Sequence, residues 1–176
     1  PVSEPVSEPV SEPVSEPAAE PATEPAPEPE VIPRVVFVVP YRDRKAHYRL
    51  FSAQMERVLS TPATPPHKIL YIHQTDSRGF NRGAMKNIGF LVVKQMYPRD
   101  YQNITIIFND VDSVLSRAGL VPYETPRGEV RHFYGFKFAL GGIVAFNAAD
   151  FERINGFPNF WTWGYEDNLL QMRAQS

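Results

Sequence analysis

Five consecutive residues, Val35-Val36-Phe37-Val38-Val39, are all apolar and all β-branched or aromatic. Such a run has no polar face. As a strand it must be covered on both sides, the situation of a strand in a parallel sheet with helices above and below. Pro40 is expected to end it. The pattern then alternates. Residues 46–59 read as a helix with Leu50, Phe51, Met55, Val58 and Leu59 near helical spacing, and residues 61–66 as a proline-rich turn. Residues 68–73 read as a second strand, 81–96 as a second helix and 104–108 as a third strand. Strand–helix alternation predicts an α/β fold around a mainly parallel sheet. Residues 113–133 read as a long loop. Residues 138–146 read as a strand interrupted by Gly141-Gly142, 150–154 as a short helix, 159–164 as an aromatic loop and 166–173 as a last helix.

The first 30 residues obey different rules. They contain only Pro, Val, Ser, Glu, Ala and Thr, in a P-x-x-E unit that repeats every four residues. Nothing in the unit can form a core, and proline at this spacing blocks a helix. Residues 1–33 are therefore expected to be a disordered, extended spacer, and 34–176 the folded domain. The spacer also hides the charge of the body. The chain carries 18 Lys+Arg and 20 Asp+Glu, but eight of the acids and none of the bases lie in residues 1–30. The remainder thus has 18 bases against 12 acids, or +6. A mildly basic body suits an anionic ligand such as a nucleotide diphosphate, and equally an ordinary solvated surface. No dense Lys/Arg cluster points to nucleic acid, and none is expected as a partner. There is no cysteine, so the fold stands on its core without disulfides. No apolar stretch of about 18 residues is present, so no membrane span is expected in this chain.

In α/β sheets ligands bind beyond the carboxyl ends of the strands. Three polar clusters fall there: residues 41–44, 74–82 and 110–112. Asp110-Val111-Asp112 offers two carboxylates that can hold a hard divalent cation through oxygen. By itself Asp-x-Asp is more often a solvated turn; its place after a buried strand favours the metal reading. Arg42, Arg44 and Arg82 suit phosphate, Arg82 with the help of a helix N-terminus. In Trp161-Thr162-Trp163-Gly164-Tyr165-Glu166-Asp167, flat rings for stacking on sugars stand beside two carboxylates. One carboxylate of this kind can take a proton from an attacking hydroxyl. Core tryptophans before an acidic helix start would give the same letters. His47, His67, His73 and His132 lack metal-ligand spacing and read as structural.

Taken in order, these segments resemble the β-1,4-galactosyltransferase family. Val39-Pro40-Tyr41-Arg42-Asp43-Arg44 with His47 is similar to its V-P-F/Y-R-N/D-R-x-x-H opening. Phe80-Asn81-Arg82-Gly83-Ala84 followed by Asn87-Ile88-Gly89-Phe90 resembles F-N-R-A/G…N-V-G-F, and Phe108-Asn109-Asp110-Val111-Asp112 resembles F-S-D-V-D. Gly141-Gly142 with Ile154-Asn155-Gly156-Phe157-Pro158-Asn159, and then Trp161 to Asp167, resemble G-G-V…I-N-G-F-P-N and W-G-W-G-G-E-D-D. The likeness covers roughly residues 34–173.

The resemblance implies a GT-A, Rossmann-like fold, Mn²⁺, and inverting transfer from UDP-galactose or UDP-N-acetylgalactosamine to a glycan acceptor. It implies donor contacts from Pro40, Tyr41, Arg42, Asp43, Arg44, Phe80, Asn81, Arg82, Asp110, Val111, Asp112 and Ala139, with Asp112 on the metal. It implies acceptor contacts from Trp163, Gly164, Tyr165, Glu166 and Asp167, with Asp167 as general base beside Glu166. Three departures stand out. The family's further metal ligands, a histidine among them, lie downstream of the E-D motif, so with Ser176 as the last residue that part of the site is expected to be missing. Ala139 replaces an aromatic two positions before the double glycine. The family's E-D-D-D becomes Glu166-Asp167-Asn168-Leu169. The competing expectation is a catalytically degenerate UDP-sugar or glycan-binding module. The family usually resides in the Golgi lumen on a membrane anchor, while a cysteine-free body also suits the cytoplasm.

Overall fold

The computed structural model describes residues 31–176; the repeat lies outside the described residues. Five strands and four helices follow one another as β1 (Val35–Tyr41), α1 (Lys45–Leu59), β2 (His67–His73), α2 (Arg82–Met96), β3 (Thr105–Asn109), β4 (Val130–Tyr134), β5 (Ile143–Asn147), α3 (Ala148–Arg153) and α4 (Glu166–Gln175). The sheet order is β2-β1-β3-β5-β4. β1 pairs in parallel with β2 and β3, while β5 runs antiparallel between β3 and β4. Four of the five strands therefore point the same way, and their carboxyl ends share one edge. No helix among the described residues is long and apolar enough to cross a membrane.

The run in β1 is buried on both faces, as a strand without a polar side must be. Val36 and Val38, with Ile106, Phe108, Val144 and Phe146 from the neighbouring strands, join the core under α2, α3 and α4. Val35, Phe37 and Val39 point the other way, against Phe51, Met55, Val58 and Leu59 of α1. Burying each of these side chains contributes roughly 1.5–3 kcal/mol. On the first face α2 lies so close that a Cβ on Gly89 would run into Val38, which fixes how the helix sits on the sheet.

Several boundaries differ from the sequence expectation. β1 does not end at Pro40 but passes through it to Tyr41. Pairing with β3 stops at Val38, so Pro40 has a strand neighbour on one side only, where a residue without an N–H is tolerated. Leu50 lies on the outer face of α1 and is exposed rather than core. The stretch read as a long loop contains β4, an edge strand whose VRHFY sequence is only partly buried and carries no apolar run. Residues 138–142 are not strand. Gly142 adopts φ +68, a left-handed conformation that ends an extended run, and a Cβ there would strike the Tyr134 carbonyl. β5 begins only at Ile143. Ala139, expected on a strand, sits in the turn before it, its N–H donating to the Phe136 carbonyl at 3.1 Å.

Candidate active site

The loops after β1, β2, β3 and β4 and the start of α4 meet at one edge of the sheet. At their centre is Arg82, the first residue of α2. Asn81 fixes it there. The Asn81 side chain accepts the Ala84 N–H at 2.8 Å, capping the helix, and its amide donates to Asn159. Its own N–H donates to Gln74 Oε1 at 2.8 Å. Asn81 is thus fully buried and spent on architecture.

From that position the Arg82 guanidinium reaches three carboxylates. Nη1 donates to Asp110 Oδ2 at 2.6 Å, Nε to Glu166 Oε1 at 2.9 Å, and Nη2 to Asp167 Oδ2. One turn further along α2, the Lys86 ammonium stands 3.1 Å from Asp110 Oδ1 and 3.8 Å from Asp167 Oδ1. It also lies 4.9 Å above the Phe157 ring. Two cations therefore face three acids in a buried cluster, with Lys86 at 0% and Glu166 at 3% exposure. Burial pushes the Asp110 carboxyl up, but Lys86 and Arg82 more than offset it, and Asp110 ends below its ordinary value. Asp167 goes the other way. Burial raises it, Lys86 and Arg82 pull it down, and Asp110 and Glu166 leave it raised overall. Arg82 is pulled down by burial and held up, on balance, by its three acids.

The acids reach the cluster through a strained turn. Tyr165, the residue before α4, is left-handed at φ +71, and Gly164 precedes it at φ +116. That turn aims Glu166 and Asp167 inward in the first turn of α4, where acids also favour the helix dipole. Gly164 N–H donates to Glu166 Oε2 at 3.1 Å. Gly141 is packed against the Asp167 carboxylate so closely that a Cβ would strike it.

Two cavities open on this cluster. The smaller, about 280 Å³, is lined by Pro40, Arg42, Asp43, Arg44, Phe80 and Val111. The larger, about 750 Å³, is lined by Ala139, Gly164, Tyr165, Glu166 and Asp167 among others. Arg82, Asp110, Asp112 and Trp163 border both. Tyr41 lines neither: its ring packs on Tyr48 and His73, with centroids 5.4 and 4.8 Å away. Trp163 is 88% exposed, so it is not a core tryptophan. Trp161 lies under the Arg78 guanidinium at 3.6 Å. His132 holds the turn before β5, its Nε2 lying 2.9 Å from the Gly141 carbonyl.

The Asp-Val-Asp pair is divided. Asp110 turns inward and is consumed by Arg82 and Lys86; Asp112 faces outward, its side chain 51% exposed and 3.8 Å from Arg44. A tight turn separates them, with Ser113 N–H donating to the Asp110 carbonyl at 2.9 Å. The two therefore do not form a joint cation site. Among the described residues no group of three or more His, Cys, Asp or Glu is placed to hold a metal. Asp112 alone still fits an ion of the Mg²⁺/Mn²⁺ kind that takes one carboxylate and completes its shell from substrate phosphates.

Sequence reasoning missed Lys86 and the aromatic side chains of Phe136 and Phe138. The ring centroids of that pair stack at 5.3 Å on the wall of the larger cavity. For Lys86 a signal existed: it is four residues from Arg82, on the same face of a helix that opens at the site.

Comparison with known proteins places this arrangement. Residues 15–120 match the N-terminal region of glycosyl transferase group 7, and residues 129–176 match the N-terminal domain of galactosyltransferase. The chain is 34% identical over 150 residues to the xylosylprotein 4-β-galactosyltransferase of Caenorhabditis elegans, covering 80% of this chain and 50% of that protein. It is 31% identical over 152 residues to human β-1,4-galactosyltransferase 7, covering 81% and 44%. The chain thus spans half or less of the length of these curated relatives. The catalytic domain of Drosophila β-1,4-galactosyltransferase 7, solved with xylobiose, superposes with a TM-score of 0.64 at 28% identity over 79% of this chain and 59% of that one. A point variant of that enzyme, solved with manganese, UDP-Gal and xylobiose, superposes equally well. The α/β sandwich around a central sheet is the GT-A-like fold of galactosyltransferase catalytic domains. By the match of both its halves, this chain belongs to the group 7 glycosyltransferases, the β-1,4-galactosyltransferase family.

Proposed function

We propose that the protein carrying this chain transfers galactose from UDP-galactose to a glycan hydroxyl, with inversion at the anomeric carbon. The observation behind this reading is Asp167: a carboxyl raised by burial, on the wall of the aromatic cavity and bonded to Arg82, which borders that cavity and the basic one. A raised carboxyl is a stronger proton acceptor once ionised, which is what a general base requires. In this reading Arg42 and Arg44 take the diphosphate in the smaller cavity, and Trp163, Tyr165 and the Phe136–Phe138 pair hold the sugars in the larger. The acceptor hydroxyl attacks the anomeric carbon as Asp167 takes its proton, and the bond to UDP breaks with its electrons going to the diphosphate. Arg82 keeps Asp167 oriented throughout. A manganese ion bound by Asp112 and the diphosphate would supply charge neutralisation on the leaving group.

The direct test is to incubate the protein with UDP-galactose, Mn²⁺ and xylobiose, the sugar held by the Drosophila structures, and follow product by anomeric NMR. A β-linked galactoside is expected. Nucleotide binding without product would favour the second reading, a catalytically degenerate UDP-sugar or glycan-binding module.

The metal part has its own test. Mn²⁺ is expected to tighten UDP binding about tenfold, or ~1.4 kcal/mol, and Asp112→Asn to remove that gain. Calorimetry giving the same UDP affinity with and without Mn²⁺ in the unsubstituted protein would exclude Asp112 as a metal ligand.

Donor choice follows from Ala139, which lines the larger cavity with a small side chain. A pocket relieved of bulk admits a larger substituent, so UDP-N-acetylgalactosamine is expected as an alternative donor. Ala139→Tyr should shift the kcat/KM ratio toward UDP-galactose by about tenfold or more. An unmoved ratio would mean that Ala139 does not face the sugar.

A further inference from the structure

We propose that Lys86 is a positioning residue for Asp167: from a buried seat on α2 it keeps that carboxylate in its proton-accepting form against the acids crowded around it. The inference rests on reading Asp167 as the base. Lys86 is fully buried, so it touches neither donor nor acceptor. Taking an ammonium out of water costs several kcal/mol, and the position makes sense only through what the charge does there.

Placement of the acids is already provided. Arg82 reaches Asp110, Glu166 and Asp167, and it takes the Oδ2 atom of both aspartates. The Oδ1 atoms are left, and they are the ones that face the Lys86 ammonium, at 3.1 and 3.8 Å. What Lys86 adds is therefore charge at the oxygens Arg82 leaves open. The groups facing Asp167 are Arg82 and Lys86 from α2, Asp110 beyond β3, Glu166 beside it on α4, and the uncharged backbone of Gly141 before β5. Two attract the ionised form and two repel it. Without Lys86 one guanidinium would face three carboxylates, and the buried Asp167 would be the acid most readily protonated. A proton already on Asp167 is one that the acceptor hydroxyl cannot give it.

The test reads Asp167 directly, by carboxyl ¹³C NMR with the resonance assigned through Asp167→Asn. In Lys86→Met the titration midpoint of Asp167 is expected to rise by about 1–2 pH units, the effect of losing an opposite charge at this range. Lys86→Arg should restore most of it. The acid limb of kcat/KM should move upward by the same amount, with KM for the donor little changed. If Lys86→Met does not fold, the comparison is Asp110→Asn against Asp110→Asn/Lys86→Met, in which one lost acid balances the lost cation. The same upward shift is expected there. A midpoint that moves by less than about 0.3 unit in the pair that folds overturns the proposal, and so does an acid limb that stays still while the midpoint moves. If the midpoint moves but the unsubstituted protein makes no product, the transferase reading fails and the charge assignment stands.

Discussion

Replacing Arg82 with methionine is expected to cost about 3–5 kcal/mol of folding stability at neutral pH, the usual effect of leaving buried charges without their partner. For a domain of this size that is a fall in Tm on the order of 10 °C. The size follows from what one side chain holds: Asp110, Glu166 and Asp167 all bond to Arg82, and Lys86, which faces only the two aspartates, would be the one cation left in the cluster. The loss should depend on pH in a defined direction. Asp110 sits below its ordinary value in the folded protein, so its pairing contributes stability above the unfolded value, lost as pH falls through the folded one. In Arg82→Met much of that contribution is absent, and acid relieves the repulsion that remains. The gap between the two proteins should therefore narrow as pH falls below about 4, the ordinary aspartate value. Thermal unfolding at a series of pH values checks both parts. A cost under about 1 kcal/mol at pH 7, or a gap that does not narrow in acid, would mean the cluster is solvated and not the keystone of the site.

How much of this was legible in the sequence depends on whether a signal is local. The Val35–Val39 run gave β1, because five apolar side chains in succession leave no exposed face. Arg82 was legible at the opening of the second helix, beside a strand-end loop, while the capping role of Asn81 shows only in the structure. The double glycine was legible as a break in an apolar run, but its cause, the Asp167 carboxylate against Gly141 and the Tyr134 carbonyl against Gly142, is a contact between distant segments. β4 escaped because an edge strand that is only partly buried carries no apolar run. The division of labour between Asp110 and Asp112 escaped for a different reason. Two residues apart, they would share a face of a strand, but the chain turns at Asp110, and direction after a turn is set by bonds such as Asn109 Nδ2 to the Ser113 carbonyl at 2.7 Å. Asn81 and Tyr41 carry the family's letters at a binding loop, yet one caps a helix and the other packs on aromatic neighbours. A motif names the segment that builds a site; burial decides which of its residues face the cavity.

Asp167→Asn is expected to abolish transfer while leaving the fold as stable as before, or more so. The kcat should fall by about a thousandfold or more, in the upper part of the range general-base removal produces, with nucleotide binding retained. The stability claim comes from the direction of the Asp167 shift. Its carboxyl is raised in the folded state, so the folded chain holds its proton more tightly than the unfolded chain does. Stability from that preference is present below the unfolded value, and it is lost as pH rises through the window up to the folded value. At neutral pH the ionised Asp167 is thus a burden on the native state, despite its contacts with Arg82 and Lys86. Asparagine has nearly the same shape and no charge to desolvate. The cluster it leaves, Arg82 and Lys86 against Asp110 and Glu166, is balanced in charge. A residue present only to hold the fold together would behave in the opposite way, since its removal would lower the Tm. Thermal unfolding and UDP calorimetry on Asp167→Asn, beside the product assay, separate the two. A Tm lowered by several degrees with transfer reduced in proportion would make Asp167 a structural acid. A Tm held or raised with transfer gone would identify a carboxylate kept in an unfavourable place for the sake of the proton it accepts.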